Sequence, residues 1–375
     1  EGQSIEPRWY CPILPMVLVN GADGIGTGWS TSVPNYNPRD IIRNIRRMLR
    51  GEKMEDMYPW YKGFTGTIAP SEKDDGKFDM TGCIQKQGDK LIITELPVKA
   101  WTQSYKEFLE ECMPQDGKKE DSGDAWITDY REYHTENTVH FELTLSPEQM
   151  QLAEKNGLEK HFKLKTTIAT SNMVLFDHEG KIAKYNSALE ILKDFCQLRR
   201  RVYDERKAYL VAKLTREKEI LSNKARFIFM VVKGELELRK KKKSDLLQEL
   251  QRLGFKKMSE LDALLEGRDA GAAAEGDAQP AAGGEDAEKT DYDYLLGMNL
   301  WSLTFEKVEE IKKLRDQKIE ELNELKKTTI ESMWDRDLGA LLKALEDLEA
   351  AEAEEADAAA EAADGRRKKD AARGA

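Results

Sequence analysis

The chain has 375 residues, 40% of them hydrophobic and 34% charged, and a formal net charge of -11. That length allows two or three domains, and that apolar content allows a buried core in at least one of them. With no run of ~20 apolar residues and no secretory leader, no membrane partner is expected. The four cysteines, Cys11, Cys83, Cys112 and Cys196, form no CxxC and complete no zinc spacing with the four histidines; no structural metal site is expected, and a reducing compartment fits.

The acidity is unevenly placed. Residues 266–290 carry -5 and residues 331–364 carry -10, whereas residues 1–265 carry +2. The stretch 266–290 is too polar and Gly-rich to pack and reads as a low-complexity insert. The tail 339–375 is Ala/Glu-rich without a continuous apolar face and reads as disordered or frayed helix. The chain opens at Glu1 rather than Met, inside what reads as folded sequence, and is expected to be part of a longer protein.

Residues 1–186 mix short strands with short helices, separated by turn signals, and predict an α+β domain. The expected strands are "PMVLVN", "KLIITELPV", "TVHFELTL" and "MVLFDHEG". Directly after the first comes "NGADGIGTGWST", in which Gly21, Gly24, Gly26 and Gly28 surround Ile25. A phosphate-binding glycine loop needs a helix to start at once behind it, so that free N–H groups face the anion. Here Pro34 and Pro38 delay a helix until about Arg39, and no Lys-Ser/Thr follows. A nucleotide site is therefore disfavoured. Two readings of the loop stay open: a tight hairpin with Ile25 tucked into the core, or an exposed tip.

The next element, "NPRDIIRNIRRMLRGE", predicts a helix with Ile41, Ile42, Ile45, Met48 and Leu49 on one face and Arg39, Arg43, Arg46, Arg47 and Arg50 on the other. Its basic face is either a phosphate-binding surface or a solvated one. A second basic and aromatic cluster holds Lys99, Trp101, Tyr105 and Lys106. In a third, "KHFKLKTTIATSN", Lys163, Lys165 and Thr167 are expected on one side of a strand and Leu164, Thr166 and Ile168 on the other. Three clusters of cations and hydroxyls without an acid/base constellation point to contact with a sugar-phosphate backbone.

Residues 187–338 change character. A long helix from about Ser187 to Leu221 carries Leu189, Leu192, Phe195, Val202, Tyr209 and Ile220 on a seam near a 3.5 period. A second, from about Thr304 to Lys327, carries Val308, Ile311, Leu314, Leu322 and Leu325. Neither has the apolar surface to stand alone, so the two are expected to pair as an antiparallel coiled-coil arm. Residues 222–302 would form a small helical cap at its far end. Tyr294, Leu295, Leu296, Met298, Leu300 and Trp301 make that cap apolar enough to serve partly as core and partly as a partner surface.

Six stretches, "PRWYCPILPMVLVNGADGIGTGWSTSVPNYNP", "ELPVKAWTQSYKE", "ITDYREYHTENTVHF", "FKLKTTIATSNMVLFDHEGKIAKY", "NKARFI" and "YLLGMNLWSLTFEKVEEIKKLR", resemble in order those of the eukaryotic type II DNA topoisomerases. The resemblance implies an α+β tower domain over residues 1–186 that binds and bends double-stranded DNA. It further implies an all-α antiparallel coiled-coil arm whose helical cap dimerises as the exit gate. It makes Ile25 the residue that intercalates between base pairs, with Gly24, Gly26 and Thr27 beside it. Lys163, Lys165, Thr166, Thr167 and Asn172 match the family's DNA-contacting strand and turn, and Lys99 and Trp101 are placed in the same groove. The family's catalytic tyrosine, its magnesium-binding carboxylates and its ATPase domain are all expected before Glu1. The resemblance thus implies ATP and Mg2+ for the full-length enzyme and none bound by this chain, and a nuclear location; "RRKK" at 366–369 is too generic to carry the latter.

Two rival classes are weighed against this. A coiled-coil structural DNA-binding protein without topoisomerase activity would need longer heptad stretches than the ones present. A bacterial gyrase or topoisomerase IV subunit would end in β-rich repeats rather than an acidic, Ala-rich tail.

Overall fold

The computed structural model describes residues 6–7, 9–74, 76–114, 126–135, 137–238, 241–265, 291–299 and 304–373. The insert 266–290, and Leu300 and Trp301 of the expected cap surface, lie outside the described residues. The chain divides into two compact units, residues 1–199 with 338–375, and residues 200–337.

The first unit is α+β. Its opening apolar run is not the expected strand. Met16–Asn20 form a short helix (α1), in which the Leu18 amide donates to the Pro15 carbonyl at 2.9 Å and Gly21 ends the turn at φ 68. Proline at the start and a left-handed glycine at the end decide this, because a five-residue apolar run reads equally as strand or helix. A hairpin follows, β1 (Ala22–Ile25) with β2 (Ser30–Val33). Helix α2 (Pro38–Leu49) starts where the sequence places it, because Pro38 suits the first turn and the Asn37 side chain accepts from the Arg39 amide. It buries Ile41, Ile42 and Ile45. Asn44, also buried, exchanges two hydrogen bonds with the Glu55 backbone at 2.8 and 2.9 Å, so no polar group is stranded there.

Two antiparallel sheets carry the rest of this unit. One has the order β3 (Thr67–Pro70), β4 (Lys77–Thr81), β9 (Lys165–Ala169); the other has β5 (Cys83–Gln87), β6 (Lys90–Glu95), β8 (Phe141–Thr144), β7 (Asp129–Glu132). Leu91, Ile93, Phe141 and Leu143 alternate onto one face of the four-stranded sheet. Tyr105 and Leu109 of α3 (Thr102–Glu111) and Met150 and Ala153 of α4 (Pro147–Asn156) share that core, as the two-residue strand period and the helical period require. Beyond the four-residue helix α5 (Leu158–His161), the second hairpin is β10 (Met173–Phe176) with β11 (Ile182–Tyr185).

Helix α6 (Ala188–Val232) is 45 residues long, running past the expected end at Leu221. Its buried residues include Leu192, Cys196, Arg199 and Tyr203, whereas Tyr209, expected on the seam, is 55% exposed. Counting only apolar types misplaced the seam, because Cys196 and Arg199 complete the 4-3-4 spacing between Leu192 and Tyr203. Arg199 is buried with its guanidinium donating to the Cys11 carbonyl at 2.5 Å.

In the second unit α6 lies against α10 (Phe305–Lys327). Arg200 pairs with Glu331 at 2.7 Å, Lys207 donates to the Thr328 carbonyl at 2.6 Å, and Lys318 pairs with Glu217 at 3.3 Å. As one helix is followed upward in number the other runs down, so the two are antiparallel. Beyond these pairs Phe227 and Ile228 share a core with Val308 and Ile311. Leu250 of α7 (Lys243–Arg252) and Leu295 of the short α9 (Asp293–Leu296) complete it, while Leu261 of α8 (Met258–Ala263) is also buried. Leu314, expected on the seam, is 51% exposed. Trp334, fully buried, tilts against Tyr203 with ring centroids 5.5 Å apart.

Helix α11 (Ile330–Arg373) extends through the tail. Within the first unit its Glu346 and Glu349 pair with Arg39, and its Glu352 with Lys62 at 2.5 Å. Three acids of the tail thus pair at three-residue spacing, on a helix whose Leu341, Leu342 and Leu345 are half-buried.

Candidate nucleic-acid interface

The hairpin resolves the open question about Ile25. Ile25 faces Ser30 at the last ladder position, and the Gly26 amide closes the tip by donating to the Trp29 carbonyl at 2.8 Å. Its side chain is 93% exposed, so it is a tip residue and not part of the core. Thr27 is also exposed, and Trp29 is 56% exposed. The glycines divide by role. Gly21 is required by the fold, since a Cβ there would lie 2.4 Å from the Asn35 side-chain oxygen and φ is +68. At Gly24 nothing approaches within 4 Å, and at Gly26 only the Trp29 carbonyl does, at 3.7 Å. The fold itself would accept side chains at both.

At the foot of the hairpin lies a cleft of about 560 Å³, lined among others by Asp23, Tyr61, Lys99, Thr166, Thr167 and Asn172. Three elements deliver these groups. Strand β9 brings Thr166 and Thr167 opposite Met80 and Asp79 of β4. The turn after it brings Asn172, whose amide donates to the Ser30 hydroxyl at 2.9 Å. Lys99 comes from a four-residue turn closed by the Ala100 amide on the Pro97 carbonyl at 2.9 Å. It sits third in that turn at φ 72, a left-handed conformation that costs a non-glycine residue ~1 kcal/mol or more. Its ammonium bonds the Asp23 carboxylate, and that bond holds Lys99 above its ordinary range. Burial pushes the Tyr61 phenol up. Trp101 follows at the start of α3 with its ring 76% exposed.

Lys165 pairs with Asp79 at 2.9 Å, and this bond holds Asp79 below the usual carboxylate range. Thr167 donates to the same carboxylate at 3.5 Å. Lys163 departs from the expected pattern. It precedes β9 at φ 52, and its ammonium lies 4.1 Å from the Phe108 ring centroid. β9 begins only at Lys165, so Lys163 does not share a strand face with Lys165 and Thr167. Sequence reasoning also missed Asp23 and Tyr61. Asp23 is the one acid inside the glycine loop, a signal that was legible, while Tyr61 is brought in by the fold alone.

The arginine face of α2 stands apart from this cleft. Arg39 pairs with Glu349 at 2.6 Å, Arg43 with Asp40 at 2.5 Å, and Arg47 with Glu55 at 3.0 Å. A small cavity of about 320 Å³ between the arginines is closed on one side by Leu342. These pairs leave both sequence readings of the face in place, since Lys99 and Lys165 carry acidic partners as well.

Residues 1–339 match the family described as the A-type subunit of DNA gyrase/topoisomerase IV. The chain belongs to that family. It is 44% identical over 359 residues to DNA topoisomerase 2 of Arabidopsis thaliana, covering 93% of this chain and 24% of that one. It is 42% identical over 354 residues to DNA topoisomerase 2 of Plasmodium falciparum (isolate K1 / Thailand), covering 92% and 24%. The crystal structure of the Plasmodium falciparum topoisomerase II DNA-binding, cleavage and re-ligation domain matches with a TM-score of 0.77 at 42% identity, over 94% of this chain and 46% of that one. The chain therefore spans about a quarter of the length of the curated relatives it matches. The family as described includes the gyrase and topoisomerase IV proteins set aside above, while these relatives carry the name DNA topoisomerase 2.

Proposed function

We propose that this chain is the DNA-bending and exit-gate portion of an ATP-dependent type II DNA topoisomerase, which passes one duplex through a transient double-strand break in another. The observation that carries the reading is Ile25, 93% exposed at the tip of a hairpin whose neighbouring glycines the fold does not require. An apolar wedge driven between base pairs costs a few kcal/mol of unstacking, and the bend it makes brings more polar surface onto the backbone. Gly24 and Gly26 let the strands approach the duplex without Cβ atoms. Lys99, Lys165, Thr166, Thr167 and Asn172 in and beside the cleft supply cations, hydroxyls and an amide to phosphates, with Trp101 at the rim. Lys163 is left out of this set.

The antiparallel α6 and α10 form the coiled-coil arm, and the cluster around Tyr292 and Leu295 forms its cap, from which Tyr294, Leu296 and Met298 remain half-buried. Those residues are offered to a second copy of the chain across a two-fold axis. Among the described residues no helix is long and apolar enough to cross a membrane, and a nuclear protein is the reading the relatives support. Among the described residues no three His, Cys, Asp or Glu side chains are grouped to hold a metal ion. The glycine loop opens a hairpin, where an ATP loop would open a helix. ATP and Mg2+ are assigned to the longer protein.

Two experiments test this reading. Ile25→Ala relaxes the bend of an end-labelled duplex, read as end-to-end distance, while affinity changes modestly because phosphate contacts supply most of it. An unchanged bend sinks the wedge. Sedimentation of the chain at micromolar concentration gives a dimer; a monomer with its helices intact sinks the gate.

A further inference from the structure

The wedge hairpin is held on its two edges by different means. On the β2 edge the Ser32 amide donates to the Asn172 carbonyl at 2.8 Å, Asn172 bonds Ser30, and the Val174 amide donates to the Thr31 hydroxyl at 3.2 Å. On the β1 edge, among the described residues, one side-chain bond reaches another element, that between Asp23 and Lys99. Asp23 precedes Ile25 by two positions in a strand, so the two side chains leave the same face about 7 Å apart. The partner is placed at a conformational cost, since Lys99 occupies a φ of 72 where glycine would be at ease. A purely structural turn gains nothing from lysine there.

We propose that Asp23 is a positioning residue for the wedge: its ion pair with Lys99 pins the otherwise free edge of the hairpin and sets the angle at which Ile25 meets the duplex. This rests on the reading of Ile25 as a wedge. The pin opposes rotation of the hairpin about its hydrogen-bonded β2 edge. Without it the bond set on β2 acts as a hinge, and part of the insertion force goes into swinging the tip. Both partners are largely solvent-exposed, so the effect is small and salt-dependent.

The test uses the whole chain at saturating DNA and reads the bent fraction of an end-labelled duplex. Asp23→Asn and Lys99→Gly each lower the ratio of bent to unbent duplex about two- to fivefold, the range expected of an exposed ion pair. The double variant is no worse than Lys99→Gly alone, because that bond is already gone in the single variant. Lys99→Gly also keeps or raises the thermal midpoint, since glycine suits the turn; a merely structural lysine would show no change in bending. The exchanged pair, Asp23→Lys with Lys99→Asp, restores the bend. The proposal is overturned if Asp23→Asn tightens binding and leaves the bend as it was, which makes Asp23 only a charge that repels phosphate. It is also overturned if the exchanged pair bends DNA no better than Lys99→Asp alone in a protein of unchanged thermal midpoint. Wild-type chain that does not bend DNA, or Ile25→Ala that bends like wild type, removes the wedge and the pin together; loss of the pin alone leaves the Ile25 result standing.

Discussion

Helix α2 and the β1–β2 hairpin lie close in sequence and both present cations or apolar groups that a sequence reader notices, yet they end in opposite states. On α2 the isoleucines are buried and Arg39, Arg43 and Arg47 are paired with Asp40, Glu55, Glu346 and Glu349. On the hairpin the isoleucine is left in water, and hydroxyl and amide groups line the cleft beneath it. Cation count does not separate the two, since Lys99 and Lys165 also have carboxylate partners. What separates them is an apolar side chain exposed without structural need. Large apolar groups are exposed singly on many surfaces, but one flanked by Gly24 and Gly26, at which the fold would accept side chains, is the feature on which the proposed DNA contact rests.

The sharpest break between the regions is in stability. Ile45→Ala on the buried face of α2 removes a fully enclosed side chain and lowers stability by ~2–5 kcal/mol. Ile25→Ala changes it by less than ~0.5 kcal/mol. Thermal or denaturant unfolding of the two variants checks this, and equal losses would return Ile25 to the core.

A smaller effect separates their cations. Lys165→Gln lowers the slope of log affinity against log salt by about 0.9, the loss of one phosphate contact. Arg43→Gln with Arg47→Gln leaves that slope unchanged, because both side chains lie on α2, outside the cleft that Lys99, Thr166 and Thr167 line. Duplex titrations over a range of salt decide between them. A slope that moves with the arginines and not with Lys165 would place the phosphate path on α2.

Much of the fold was legible for identifiable reasons. Asn37 and Pro38 mark the start of α2, and alternation at Leu91 and Ile93 marks β6. The division near residue 187 follows from a long stretch without proline or glycine. The failures are equally specific. Met16–Asn20 is too short for periodicity to tell helix from strand. The α6 seam was misdrawn because a buried arginine and a cysteine stood in it. The tail, read as disordered or frayed helix, is helical through Arg373. In the candidate site the chain segments were legible and their grouping was not. Lys163 was credited to a strand that begins two residues later, and Asp23 was passed over although it lies within the motif.

By itself the sequence determined the longer elements such as α2, β6 and the start of α6, the family resemblance and the glycine-flanked isoleucine. These depend on local backbone preference and on side-chain periodicity, which act over a few residues and can be read along the chain. Only the tertiary structure decided which of two exposed-looking groups is satisfied. Whether Arg39 meets Glu349, 310 positions away, or whether Ile25 meets anything at all, depends on neighbours that chain order does not supply. Burial and ion pairing are properties of those neighbours, so Arg39, Arg43 and Arg47 are found paired and the lone isoleucine exposed at its tip.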